Sequence, residues 1–389
     1  MLIVNPFVLQ VIISSMPSVL VTGLMPVLSQ PLGLSLAGLG LIFLLLRSGN
    51  IFGSLLAPRI LEKLAPHKLG TSAELINCVS SLLILFSTSA THFAWLFIVC
   101  GLIKGMLAGT VNVLRFSWLR RLPDFQTTSH LTLIANALYQ SAYAIVGVLL
   151  LIGASLTIAK MVLVVDVLTS LFGAYLFWRL KKYGITALNS ATKLHWNVFA
   201  LLVATPARRI LLLTDIFICC AMGGTNIMLV KYGMEFFGVH HGYAIALILY
   251  GVFYFVGGKL IQIKNHGKAV SFNKNLIMLA LIIMILALFL MPVIKIASLQ
   301  MILFAVVFLC YPIVILQINN EWFKLSAPHE AAQISAAETI YSQCIWGIGE
   351  LGYSLLLHDN MLRAIFLTIG LLAVVFYPRL SCTNYEQTV

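Results

Sequence analysis

Arg47, Lys104, Asp166, Glu338 and Glu350 all stand deep inside long apolar runs. Holding a charge at such a position in a bilayer costs at least a few kcal/mol, so each residue needs a reason to be there. Arg47 and Lys104 suit an anionic substrate, because a cation in a low-dielectric cavity holds a carboxylate far more strongly than it does in water. Glu338, Glu350 and Asp166 suit proton coupling or gating, because a carboxylate in apolar surroundings can hold a proton near neutral pH. A plainer use competes with both: Arg47 paired with Glu338 or Glu350 is a structural salt bridge, and such pairs also perturb ionisation without any function. Substrate contact is the favoured reading for Lys104, since no acidic residue lies within helical reach in its own run. A bridge that breaks when substrate arrives is a gate and unites the two readings. Glu74 and Asp215 fall near the ends of their runs and read as interface contacts or caps.

Polar and aromatic residues add to this set. Asn112, Asn136, Tyr139, Gln140 and Tyr143 mark polar stretches, and Gln343 and Trp346 lie between Glu338 and Glu350. Tyr250 and Tyr254 are four residues apart and share a helix face. Singly, each suits helix packing or interface anchoring. Together they suit a wet interior that binds a small molecule. Other signals are set aside. Gly257-Gly258-Lys259-Leu260 lacks the upstream glycine and the Ser/Thr of a phosphate-binding loop. His240 and His241 are adjacent and point apart, with no acidic partner close by, so no metal site or cofactor is expected. Gly105 and Gly109 read as positions of close helix packing.

The elements that must position these residues follow from composition. The 389 residues are 61% hydrophobic and 9% charged, with mean hydropathy +1.02. Soluble domains are roughly 45–50% apolar and about 25% charged, so an ordinary soluble enzyme and a disordered chain are both excluded. A membrane span takes about 20 apolar residues. Twelve runs of that kind can be read: Val4–Leu28, Leu36–Leu56, Thr71–Thr88, Phe93–Val113, Leu131–Leu151, Leu156–Trp178, Ile210–Val230, Tyr243–Ile261, Leu276–Ile294, Leu299–Leu316, Ala331–Leu357 and Met361–Tyr377. Lipid offers no partner to a free backbone N–H or C=O, so each run is predicted to be helical. The first run has no preceding Lys or Arg and reads as a span rather than a signal peptide.

The net charge of +12 has its explanation in the loops rather than in nucleic acid. With the N-terminus in the cytoplasm, the outer loops hold only Lys160, Lys231, Lys295 and Arg363. Arg47 and Lys104 lie within spans, and every other basic residue falls on an inner loop or tail. Both termini are therefore expected to be cytoplasmic, in a multi-pass protein of the cytoplasmic (inner) membrane. The longest connection divides the spans six and six. The predicted organisation is a six-helix bundle over 1–178, a cytoplasmic linker over 179–209, a second bundle over 210–378 and a tail over 379–389. The linker holds Trp196–Ala204, too short to span and suited to an amphipathic helix on the inner surface. Basic loops recur after the second span of each half, at Pro58–Gly70 and Gln262–Asn275, which points to a duplicated unit.

Six helices, a linker and six helices resemble the major facilitator superfamily. The stretch from Gly53 to Lys68 is similar to that family's loop motif, with Glu62 at the acidic position, Lys63 at the basic one and Lys68 among the following cations. Pro58 and Ala65 stand where the family has glycines, and the second-half copy around Gly258 has Gln262 at the acidic position. The fifth span lacks the Gly-Pro signature of the drug–proton antiporter branch. The general pattern looks most like the branch of enterobactin-type siderophore exporters. The resemblance implies an all-α fold of twelve transmembrane helices in two halves, with spans one, four, seven and ten around a central cavity. Lys104 would then face the cavity, Arg47 and Glu338 or Glu350 would lie near the contact of spans two and eleven, and Asp166 would be peripheral. The resemblance implies secondary transport of a small anionic metabolite, with a carboxylate siderophore as its sharper form, coupled to protons and in the export direction, by a monomer in the bilayer. A multidrug exporter is the alternative; it predicts that Arg47 and Lys104 are neutralised within the protein. A membrane enzyme or lipid-handling protein would need a catalytic cluster at one surface, and the sequence offers none.

Overall fold

A computed structural model describes residues 6–32, 36–89, 93–119, 138, 140–153, 155–183, 198–264, 273–291, 293–294, 296–327 and 329–356. Every regular element among them is helical. The order is α1 (Pro6–Gly23), α2 (Met25–Ser29), α3 (Leu36–Lys63), α4 (Pro66–Ser87), α5 (Ala94–Leu119), α6 (Ala142–Leu151) and α7 (Leu156–Arg179). Then come α8 (Val198–Leu202), α9 (Pro206–Lys264), α10 (Lys274–Leu290), α11 (Ala297–Leu325) and α12 (Ala331–Leu356). Among the described residues, five helical stretches are long and apolar enough to cross a membrane: Pro66–Ser87, Ala94–Leu119, Leu156–Arg179, His241–Ile261 and Ala297–Leu325. The predicted twelfth span and the tail lie outside the described residues, as do 184–197 of the linker and the first part of span five.

The chain forms two compact units, Met1–Val198 with Ala327–Ile340, and Phe199–Ser326 with Tyr341–Val389. In the first, α3 and α5 cross with almost no side-chain layer between their backbones. A Cβ on Gly49 or Gly53 would run into the backbone of α5 at Leu102 or Met106. A Cβ on Gly105 or Gly109 would run into α3 at Leu46 or Asn50. Small residues permit this approach, which in lipid supplies packing energy that the hydrophobic effect cannot. The Gly105 and Gly109 expectation is therefore met, and Gly49 and Gly53 complete the interlock. Below it, Trp118 and Phe177 stack with ring centroids 5.9 Å apart, joining α5 to α7.

In the second unit an aromatic seam joins α9 to α11. Tyr250 meets Phe308 edge-on at 5.2 Å, and Tyr254 meets Tyr311 at 5.7 Å. Gly257 lies against Leu309 and Pro312, and Gly349 of α12 lies against the backbone of Cys220. Helical backbone continues from Pro206 to Lys264, through the loop predicted between spans seven and eight. A straight helix would hold Asp215 and Tyr254 about 58 Å apart. Tyr311 is an electrostatic neighbour of both, so this long run turns back between them.

Two helix starts differ from the sequence reading. Span two does not end at Leu56: α3 continues through Pro58 to Lys63, and only Leu64 and Ala65 separate it from α4. The predicted loop Pro58–Gly70 is thus a tight turn between two helices. Pro66 supplies the first residue of α4 and Pro206 the first of α9, positions where a missing N–H costs nothing. Glu74 and Asp215 consequently lie two turns or more inside their helices rather than at the ends.

Candidate functional site: a buried polar network

The two faces of α4 and α7 are inverted relative to a soluble helix. On α4, Leu75, Ile76, Val79, Leu82 and Phe86 are exposed, while Glu74, Asn77, Ser80, Ser81 and Ser87 are buried. On α7, Met161, Val164, Val165, Leu168, Leu171 and Phe172 are exposed, while Asp166, Ser170 and Gly173 are buried. Both exposed sets recur at three and four residues, so each helix turns one apolar stripe outward, as lipid demands, and one polar stripe inward. The inward stripes meet each other along with α1 and α5.

Asp166 is fully buried at their centre. The Lys104 ammonium, from α5, lies 2.8 Å from its Oδ2, and the side chains of both residues are almost entirely enclosed. Ser81 of α4 donates to the same oxygen, and Ser18 of α1 donates to Oδ1 at 3.4 Å. Lys104 also donates to Asn77 Oδ1 at 2.8 Å, and the Asn77 amide donates to Ser170 Oγ at 2.8 Å. Four helices thus contribute to one ion pair whose remaining lone pairs and protons are largely met, the condition under which a buried pair is tolerated.

A second carboxylate, Glu74, stands on the same stripe of α4 and is 2% exposed. It accepts from the Gln10 amide at 3.0 Å and from the Ser14 hydroxyl, both on α1. Gln10 in turn accepts from Arg115 Nε at 3.2 Å, and Arg115 Nη1 donates to Ser15 Oγ at 2.8 Å. The network therefore has a direct ion pair at one end and an Arg–Gln–Glu relay at the other.

The acidic partner of Lys104 comes from another span, which the helical period of α5 alone does not reveal. Of the other predicted residues, Arg47 is half-buried on α3, Tyr143 half-buried on α6, and Asn112 exposed on α5. Glu62 is half-buried and Lys63 exposed in the last turn of α3, and Lys68 is exposed at the start of α4. Tyr250 and Tyr254 lie 5.8 Å apart in the aromatic seam. Glu338, Gln343 and Trp346 are half-buried on α12. Asn136, Tyr139 and the side chain of Glu350 lie outside the described residues. Gln10, Ser14, Ser18, Glu74, Asn77, Ser81 and Arg115 were not singled out as site residues from sequence. A signal existed: Glu74, Asn77 and Ser81 recur at helical spacing along one face of a run that is otherwise apolar.

In the second unit Asp215 is buried and accepts from the Tyr341 hydroxyl and, at 3.6 Å, from the Cys219 thiol. Arg208 donates to two backbone carbonyls, Leu201 at 3.0 Å and Leu325 at 2.7 Å, tying the end of α8 to the C-terminus of α11.

Comparison with solved structures identifies the fold. A bacterial homologue of the iron transporter ferroportin, in an outward-facing state, superposes with TM-score 0.74 and 10% identity, over 97% of this chain and 98% of that one. The human organic anion transporter MFSD10 gives 0.65 and 13% over 98% and 97%, and the E. coli fucose:proton symporter gives 0.70 and 14% over 97% and 99%. No family model and no curated protein matches the sequence. The chain has the all-α major facilitator fold.

Proposed function

We propose that this protein is a secondary active transporter of the cytoplasmic membrane, with both termini inside, moving a small organic solute by alternating access between two six-helix halves. The observation that carries the reading is an ion pair, Lys104–Asp166, enclosed by four helices of one unit in a fold shared end to end with three transporters. Buried charge of this kind in a membrane marks substrate or proton pathways. The substrate class we favour is a carboxylate-rich anion, with siderophore export as its sharpest form. An organic anion transporter and a homologue of an iron transporter among the structural neighbours are in keeping with that class. In this scheme the substrate carboxylate takes Lys104 from Asp166, so that the ion pair serves as the gate. Arg47 supplies the second cation, and Glu338, Glu350 or Asp166 carries the coupled proton.

A second reading has an observation of its own. Lys104 is already neutralised by Asp166, as the multidrug alternative requires. Proteoliposomes separate the two. Labelled anionic siderophores and a cationic dye are offered to the native protein and to Lys104→Gln under an imposed pH gradient. Siderophore movement that Lys104→Gln abolishes supports the anion reading. Dye movement with no carboxylate transported replaces it with amphiphile export.

A further inference from the structure

Two carboxylates share the polar stripe of the first unit, and their surroundings differ in kind. Asp166 has an ammonium at 2.8 Å. Glu74 has only neutral donors in contact, the Gln10 amide and the Ser14 hydroxyl. Its other face is closed by Gly173 of α7, where a Cβ would stand 3.1–3.4 Å from the carboxylate. The charged groups that face it are Arg115 and Lys104 from α5 and Asp166 from α7. Arg115 reaches it through Gln10, whose amide oxygen takes the guanidinium and whose NH2 serves the carboxylate. Lys104 is engaged by Asp166 and Asn77.

From this geometry we infer that Glu74 takes up and releases a proton while the Lys104–Asp166 pair is still closed. An enclosed carboxylate with only neutral partners is stabilised in its charged form far less than one that touches a cation. The neutral acid keeps both present hydrogen bonds, because Oε1 accepts from Gln10 and Ser14 while the proton sits on Oε2. Ionised Glu74 pulls on the Gln10 amide and, through it, on Arg115. Protonation relaxes that pull, so the proton state is transmitted from α4 through α1 to α5. The inference deepens the transporter reading by naming a proton carrier that the sequence did not point to.

The test needs no substrate, so it stands or falls apart from the liposome assay. Infrared difference spectra between acidic and alkaline pH are recorded on the native protein in lipid, on Glu74→Gln and on Asp215→Asn. The expected result is a protonated-carboxyl C=O band that shifts on H/D exchange, disappears in Glu74→Gln and persists in Asp215→Asn. A band unchanged by Glu74→Gln, or no band in the native protein, overturns the assignment. Gly173→Ala crowds only the end of the Glu74 side chain and serves if Glu74→Gln does not fold. It is expected to shift the band, and an unshifted band likewise overturns the assignment.

Discussion

The two units each bury an aspartate, and they solve the problem differently. In the first, Asp166 is matched by a full opposite charge from Lys104, with Ser81, Ser18 and Asn77 completing the shell. In the second, Asp215 is held by a phenol and a thiol, Tyr341 and Cys219, beside the aromatic seam of Tyr254 and Tyr311. A charge-matched pair is costly to break but neutral as a whole; a substrate carboxylate that replaces Asp166 on Lys104 leaves the charge of the interior unchanged when Asp166 takes a proton as it is released. A carboxylate held by neutral donors offers no such exchange; it can take a proton, but it has no cation to hand over. In the proposed scheme the exchangeable pair of the first unit is therefore the gate, and Asp215 has no part in that exchange.

Removing one partner tests this contrast most strongly. Lys104→Ala leaves Asp166 buried and uncompensated, and is expected to cost about 3–5 kcal/mol of stability. The double variant Lys104→Met, Asp166→Leu should recover most of that loss. Thermal unfolding in detergent measures both, and a double variant no better than the single one would show that the pair is not the coupled unit. Gly53→Ala pushes α3 off α5 and is expected to cost about 1–3 kcal/mol in the same assay. Tyr341→Phe removes one donor from Asp215 and is expected to cost about 1 kcal/mol, the scale of an interhelical hydrogen bond in a membrane. A loss as large as that of Lys104→Ala would erase the distinction between the units. Gly347→Ala, where nothing lies within 4 Å of the new Cβ, is expected to be neutral or to stabilise slightly. The loop-motif residue gives the corresponding functional ordering. Glu62 is half-buried at the end of α3, outside the network, so Glu62→Gln should reduce transport less than Lys104→Gln.

What could be read beforehand follows the reach of each signal. Long apolar runs and basic loops are properties of consecutive residues, and they led to the helical membrane fold. The interlocking glycines on α5 were visible for the same reason. The partner of Lys104 was not visible, because helical spacing ranks neighbours within α5 and says nothing about α7, 62 residues away. Glu74 and Asp215 were misread through their boundaries: runs begun at Thr71 and Ile210 place them near ends, whereas Pro66 and Pro206 start the helices a turn or more earlier. Proline as a first helical residue, weighed above hydropathy, would have moved both acids inward. The reversal between spans seven and eight is legible, but not its backbone: 231–242 is polar enough to read as a loop, whereas it stays helical.

The most direct test of the account is concentrative uptake. Proteoliposomes containing the native protein, Lys104→Gln or the double variant Lys104→Gln, Asp166→Asn are given a labelled tricarboxylate siderophore and a pH gradient, which is later collapsed with a protonophore. The account predicts that the native protein accumulates the solute above equilibrium, that accumulation dissipates when the gradient is collapsed, and that both variants fail to accumulate it. Accumulation by Lys104→Gln equal to that of the native protein would contradict the claim that the buried ion pair of the first unit is the working gate.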